Sequence, residues 1–354
     1  MFNKITVIVA DDSALMRRMV SDIINMESDL EVIDTARDGE DLLNKLKTKI
    51  PDVITLDVEM PKLNGIGALK KITEAKIPVK VIMLSSLTKD GAEITIECLQ
   101  NGAVDFVQKP GGSISLDINK VREELVNKIR VAKRVANRAR VSRTSVASTE
   151  QVKITKISSK AVGKFEAIVM GASTGGPKAL YEVVTKLPEK IGVPVFIVQH
   201  MPVGFTKAFA ERLDKFSKIK VVEATQGQKI ENDVVYIAPG GHHMEINNNR
   251  TILLTQDPPI WGVRPAVDKL FISAANTYNG KLLGVVLTGM GKDGSKGVIE
   301  IKKHGGYNIS EDESTCTIYG MPKAAFETNM VDEVVPLYNV TERIVNVVIG
   351  DGRV

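Results

Sequence analysis

Cysteine, histidine and aromatic side chains are scarce in this sequence. Its 354 residues include two cysteines, four histidines and one tryptophan, and aromatics make up only 5%. Cys98 and Cys316 lie far apart with no metal-ligand spacing, which argues against a disulfide framework or a cysteine-bound zinc and fits a reduced compartment. No apolar run approaches the ~18 residues of a membrane-spanning helix. The start, Met1-Phe2-Asn3-Lys4, has no charged n-region, long apolar stretch or small-residue cleavage site. These absences predict a cytoplasmic, soluble protein without membrane insertion. The net charge of +4 is small and by itself calls for no nucleic-acid partner.

What is present is a chain too long for one ordinary core, so two domains and a connection are expected. Residues 1 to about 110 alternate short apolar runs with helical patterns. Ile5 to Ala10 ends in Asp11-Asp12-Ser13, and Leu30 to Ile33 follows. Val53 to Leu56 runs into Asp57, Val79 to Leu84 into Ser85-Ser86, and Asp105-Phe106-Val107 into Lys109-Pro110. Five such units predict a parallel sheet covered on both faces, with ligands bound outside the carboxyl ends of its strands.

Those ends carry Asp11, Asp12, Asp57, Ser85 and Lys109. Three converging carboxylates repel one another, and a hard divalent cation such as Mg²⁺ removes that penalty. A lysine and a hydroxyl beside them suit an added phosphoryl group, and a carboxylate is itself a phosphoryl acceptor. Singly, each aspartate also reads as a helix cap. Together with Met60-Pro61, Gly65 and Gly102-Ala103-Val104-Asp105-Phe106-Val107-Gln108-Lys109-Pro110, the set closely resembles the receiver domain of response regulators. The resemblance implies a flavodoxin-like (βα)5 fold with Asp57 phosphorylated by a histidine kinase. It also implies Mg²⁺ held by Asp12, Asp57 and the Glu59 carbonyl, with Asp11 acting through water. Ser85, Phe106 and Lys109 fall where the family carries its switch residues, and Lys109-Pro110 would be a cis bond.

A helical pattern from Asp117 has Val121, Leu125, Ile129 and Ala132 on one face. From Leu125 to Thr149 there is no acidic residue, and Lys128, Arg130, Lys133, Arg134, Arg138, Arg140 and Arg143 are basic. Residues 121–164 read as a last receiver helix running into a basic, flexible linker. Without interleaved aromatics this is a solvated linker rather than a nucleic-acid arm.

The α/β rhythm resumes over 165–348 and predicts a doubly wound, mostly parallel sheet. Ala167 to Met170 leads into Gly171-Ala172-Ser173-Thr174-Gly175-Gly176, a G-x-S-x-G turn of the kind that presents a nucleophilic serine. A glycine-rich connection or a phosphate-binding turn has the same pattern. Val195 to Gln199 ends at His200, and Leu282 to Thr288 leads into Gly289-Met290-Gly291-Lys292-Asp293-Gly294. Ser173, His200 and Asp293 at the ends of parallel strands permit a triad: a serine needs a base, and the imidazole needs a carboxylate. Their order differs from that of α/β-hydrolases. Backbone N–H groups at Thr174 and Met290 are the candidate oxyanion donors. His242-His243 lacks a third metal ligand at helpful spacing, so no cofactor is expected here. Asp268 is the rival acid, inside a helical pattern with an arginine nearby in sequence.

Gly171 to Gly176, Gln199-His200-Met201-Pro202-Val203-Gly204-Phe205, Tyr236-Ile237-Ala238-Pro239-Gly240, Arg264-Pro265, Leu287 to Gly294, Cys316 and Gly320-Met321-Pro322 resemble the chemotaxis-specific protein-glutamate methylesterase (CheB) family. Lys292 stands where that family often has asparagine. With domains at 1–120 and 165–348, the resemblance covers nearly the whole chain. It implies hydrolysis of glutamate methyl esters, and deamidation of specific glutamines, on methyl-accepting chemotaxis receptors. A chemotaxis histidine kinase would be the phosphodonor, and the unphosphorylated receiver would shield the active site. The competing class is a response regulator whose second domain only binds a partner, with Ser173 merely capping its helix.

Overall fold

The computed structural model describes residues 4–86, 88–109, 117–142 and 165–350. The chain divides into two compact units, 1–150 and 151–354. Pro110, and with it the expected cis bond, lies outside the described residues, as does the linker from 143 to 164.

In the first unit, strands β1 (Ile5–Ala10), β2 (Leu30–Ala36), β3 (Val53–Asp57), β4 (Lys80–Ser85) and β5 (Asp105–Gln108) alternate with five helices. These are α1 (Ala14–Asn25), α2 (Gly39–Leu46), α3 (Gly65–Glu74), α4 (Lys89–Gln100) and α5 (Asp117–Ser142). The sheet is parallel, in the order β2-β1-β3-β4-β5. Val7, Ile8, Val9, Val53 and Ile54 have no exposure, as expected for strands covered on both faces. Short polar side chains start the helices: Asp38, Asn64 and Thr88 each accept the N–H three residues on.

The last helix is a packed part of this unit, with Leu125, Val126, Ile129 and Ala132 in its core. Its first cations are neutralised locally. Arg130 pairs with Glu27 and Asp29, Lys133 with Asp52, and Lys128 with Asp105 and Glu124. The basic run read from sequence as helix and linker is therefore, at these three positions, a set of intra-unit ion pairs.

The second unit is built on β6 (Ala167–Ala172), α6 (Gly176–Val184), β7 (Val195–Gln199), α7 (Phe205–Phe216), β8 (Lys220–Glu223) and β9 (Val234–Ile237). There follow the hairpin β10 (His243–Ile246) and β11 (Ile252–Thr255), then α8 (Val267–Tyr278), β12 (Leu282–Val286), α9 (Ser295–Lys303) and β13 (Tyr307–Glu311). The unit closes with α10 (Met321–Phe326), β14 (Glu333–Val335) and α11 (Leu337–Ile349). Seven strands form one parallel sheet in the order β14-β13-β12-β6-β7-β9-β8. The hairpin stands apart as a two-stranded antiparallel sheet. The strand at Lys220–Glu223 is not evident from the amino-acid pattern. That segment is an edge strand with two apolar residues and a single neighbour, too short to show a period.

Strand order reverses at β6, which lies between β7 and the much later β12. In open α/β sheets a crevice forms outside the strand ends at such a point. The turns after β6, β7 and β12 therefore meet there. None of the described helices is long and apolar enough to cross a membrane.

The packing of α5 makes a stability prediction. Ile129 is fully buried, so Ile129→Ala should destabilise the first unit by about 2–5 kcal/mol through lost burial and a cavity. Denaturant unfolding of the full chain, with an unfolding midpoint assigned to that unit, measures this; an unchanged midpoint would show that the helix does not anchor the fold.

Candidate active site

In the first unit, ligand atoms of Asp11, Asp12 and Asp57 lie within 4.8 Å of one another. Asp11 and Asp57 are buried, and the Lys109 ammonium bridges them at 2.8 and 2.7 Å. Burial pushes the Asp57 carboxyl up to about 6; Lys109 opposes this, and the charge of Asp11 adds to it. Among the described residues Asp11 Oδ2 is buried and accepts no hydrogen bond of proper geometry, and the neighbouring ammonium is its one compensating charge. One lysine against three carboxylates leaves negative charge in oxygen-only surroundings, a donor set that fits a hard divalent cation. The Glu59 N–H donates to Asp57 Oδ1 at 3.3 Å.

Ser85 is turned toward α4. Its hydroxyl accepts from Thr95 Oγ1 at 2.7 Å and lies 3.3 Å from the Gly91 carbonyl. Phe106 is buried, and the Lys128 ammonium stands 5.3 Å from its ring centroid. Asp11, Asp12, Asp57 and Lys109 thus form one cluster, while the Ser85 hydroxyl is engaged elsewhere.

In the second unit, Ser173 and His200 each stand one residue beyond neighbouring strands, and Ala172 pairs with Gln199. The His200 N–H donates to the Ala172 carbonyl at 3.1 Å, and the Ser173 N–H to that of Thr288 at 3.0 Å. The turn after Ser173 needs glycine. Gly175 has φ +79, and a Cβ there would lie 2.4 Å from Thr317. A Cβ on Gly289 would lie 2.8 Å from the Ser173 Cβ, so only a glycine lets the loop after β12 close over the serine. Met290 follows at the surface, and among the described residues its N–H meets no hydrogen-bond acceptor. The Thr174 carbonyl accepts from the Thr288 hydroxyl at 3.1 Å.

His200 Nε2 meets Asp293 Oδ2 at 2.8 Å. Asp293 also accepts the N–H groups of Val267 at 2.6 Å and Asp268 at 2.9 Å, at the start of α8. Burial tends to raise its pKa, but the bond and charge of His200 and these backbone donors hold it below the ordinary carboxylate value. An ionised carboxylate only accepts, so His200 donates to Asp293 through Nε2–H. No hydrogen bond joins Ser173 Oγ to His200 among the described residues. Two members of the expected triad are joined, and the third stands at the adjacent strand end.

Asp268, the rival acid, has a different task. Its Oδ1 accepts from Gly294 and Gly297 at 3.0 and 2.8 Å, at the start of α9, and its Oδ2 from Trp261 Nε1 at 3.1 Å. The nearby arginine does not pair with it: Arg264 donates to the carbonyls of Gln256 and Asp257. Burial and the charge of Asp293 push Asp268 above the ordinary carboxylate value, against the bond from Trp261. His243 is structural, accepting the Ala266 N–H at Nδ1 and lying 3.2 Å from the Pro258 carbonyl at Nε2. His304 ends α9, 3.0 Å from the Glu300 carbonyl.

Three supporting residues were not identified from sequence. The Gln199 amide donates to the carbonyls of Ser173 and His200 at 3.0 and 3.2 Å. Thr288 accepts from Ser173 and bonds Thr174 and Ile318 through its hydroxyl, while its own N–H is taken by buried Glu311 at 2.8 Å. A polar residue closing an apolar strand is the signal that marks both Gln199 and Thr288. Glu311 offered none, since Thr288, whose N–H it accepts, lies 23 residues away in sequence.

Comparison with known proteins follows the same division. Residues 168–344 match the family model for CheB methylesterase, and residues 7–118 that for the response regulator receiver domain. A protein-glutamate methylesterase/protein-glutamine glutaminase of Clostridium acetobutylicum is 53% identical, over 98% of this chain and 99% of its own. One of Thermotoga maritima is 46% identical over 97% and 98%. The crystal structure of the Thermotoga maritima CheB methylesterase catalytic domain matches with a TM-score of 0.50 and 42% identity, covering 51% of this chain and 98% of that one.

Glu311 makes the site's surroundings pH-sensitive. Burial raises its carboxyl to about 7, against bonds from Thr288 and Thr315. Between the unfolded value near 4.5 and 7 the folded state binds the extra proton, so this group's contribution to stability declines as pH rises through that window. Glu311→Gln removes the decline. The stability of the variant relative to the native chain should therefore rise between pH 5 and 8 in denaturant titrations; a difference that stays constant with pH would refute the assignment.

Proposed function

The chain belongs to the CheB methylesterase family, and from that premise we propose a receiver-regulated serine hydrolase acting on chemotaxis receptors. It hydrolyses glutamate methyl esters, and deamidates glutamines, in the service of chemotactic adaptation. The observation that carries the mechanism is the 2.8 Å pair between His200 and the buried Asp293, beside the glycine turn of Ser173.

In this mechanism Ser173 Oγ attacks the ester carbonyl while His200 Nδ1 takes its proton. Asp293, bonded to Nε2, fixes the tautomer and stabilises the imidazolium. The ring is used in the sense opposite to the familiar serine-protease arrangement, where the carboxylate holds Nδ1. Backbone N–H groups at Thr174 and Met290 stabilise the oxyanion. His200 returns the proton to the departing methoxide, giving methanol and an acyl-serine. Water, deprotonated by His200, then releases the glutamate carboxylate and restores Ser173. A glutamine follows the same course with ammonia leaving.

In the receiver, Asp57 accepts a phosphoryl group from a chemotaxis histidine kinase. Asp11, Asp12, Asp57 and the Glu59 carbonyl would hold Mg²⁺, which when bound neutralises the clustered carboxylates and the charge of the incoming phosphoryl group. Lys109 stays within reach of the modified side chain, and Ser85 must leave its bonds to α4 to meet it. That exchange, with buried Phe106 alongside, is the element that phosphorylation biases.

Ser173→Ala should abolish methanol release from methylated receptor while Asp57 still becomes phosphorylated; continued turnover would remove the serine from the mechanism. Asp293→Asn should lower kcat by about 10⁴, by the precedent of the same change in a serine protease. Asp57→Asn should remove the stimulation that a small-molecule phosphodonor gives the native chain, and equal stimulation of both proteins would overturn the regulatory role.

A further inference from the structure

We propose that Trp261, Lys292 and Lys296 form a recognition patch for acidic side chains flanking the bond to be cleaved. The proposal rests on the function argued above and adds to it the substrate feature that the site selects.

The chain's one tryptophan is 45% exposed, at the tip of a tight turn. Ile260 and Val263 exchange backbone hydrogen bonds of 3.1 and 3.0 Å around Trp261 and Gly262, whose φ values are +53 and +80. A left-handed conformation suits Gly262 and is costly for a bulky residue, and such strain concentrates at functional positions. The indole is also anchored: its Nε1 bonds Asp268, whose other oxygen holds the start of α9. The turn therefore sets a large apolar face in a fixed place at the surface.

Two cations flank that face. Lys292 Nζ lies 4.5 Å and Lys296 Nζ 5.2 Å from the ring centroid. Lys292 directly precedes Asp293, so the patch sits one residue from the carboxylate that holds His200. Among the described residues, neither ammonium is paired with a carboxylate of this chain. Two like charges share one indole without an internal counter-ion, an arrangement that leaves both available to an outside anion.

The reaction supplies that anion. Ester hydrolysis and glutamine deamidation both end on a glutamate side chain. A receptor segment with several modifiable positions therefore gains carboxylates beside its remaining esters as the enzyme proceeds. Paired lysines at the rim favour such segments electrostatically, and the indole supplies apolar surface for the helix or loop that carries them.

The test uses the full chain with phosphodonor and a methylated receptor cytoplasmic fragment bearing either glutamate or asparagine beside the ester. For the native chain, kcat/KM from methanol release should favour the glutamate-flanked fragment by about tenfold, carried mainly by KM and narrowed by added salt. In Lys292→Asn/Lys296→Gln, and separately in Trp261→Ala, the ratio should fall toward one. As a ratio of two substrates, it is insensitive to the fraction of folded enzyme. Equal rates on both fragments, or a tenfold ratio that survives the substitutions, would overturn the recognition patch alone. No methanol from either fragment would overturn the proposed function and the patch together.

Discussion

Two buried aspartates that cap each other's helices hold the catalytic unit in register. Asp293, just before α9, accepts the first N–H groups of α8, and Asp268, in the first turn of α8, accepts those of α9. Each helix start carries unsatisfied N–H groups and a partial positive charge, so each welcomes a carboxylate. The exchange satisfies donors that would otherwise cost about 1–3 kcal/mol each if buried unpaired. It also brings two negative groups close together, and their environments separate them: Asp293 is kept acidic by His200 and the start of α8, while Asp268 is raised by burial and by its neighbour's charge. The carboxylate that meets His200 is therefore the one held in its ionised form. Its position depends on the packing of two helices rather than on the loop that carries it.

The receiver solves a similar problem with a different cation. Asp11 and Asp57 are brought together by β1 and β3, which are neighbours in the sheet, and the Lys109 ammonium lies between them. One positive charge offsets part of the repulsion, and the carboxyl of Asp57 remains raised. For the phosphoryl acceptor proposed above, incomplete neutralisation has a use, because full compensation would leave nothing for a metal ion or for the added charge to gain. The ion pairs of Lys128, Arg130 and Lys133 along α5 act in the same way, fixing the last helix by local charge as well as by burial.

Much of this was legible in the chain itself. Continuous apolar runs ending in polar residues revealed both parallel sheets, because strands covered on two faces show no alternation and polar groups gather where they emerge. The strand-end positions of Ser173, His200 and Asp57 were readable for that reason. The supporting layer was not. Asp268 looked like a rival acid because the bond that defines it joins residues 25 positions or more apart. Glu311 and Thr288 meet across neighbouring strands, and the strand end at Gln199 gives no sign that its amide bridges two turns. Lys220–Glu223 was missed because an edge strand of four residues carries too little pattern to declare itself.

The hub at Thr288 suggests why so much polar structure lies beneath Ser173 and the turn that follows it. Thr288 fixes the backbone of Ser173 through its carbonyl and that of Thr174 through its hydroxyl, while Glu311 fixes Thr288 through its N–H. Donors to a developing oxyanion act well only when they are held in place before charge appears, since reorganising them during reaction would consume the stabilisation they give. A glycine at 289 is what lets the loop approach Ser173, and a glycine also leaves the backbone free to wander. The buried bonds on either side restore the rigidity that the glycine removes. Close approach and fixed position are thus supplied by different residues, the first by what Gly289 lacks and the second by what Thr288 and Glu311 hold.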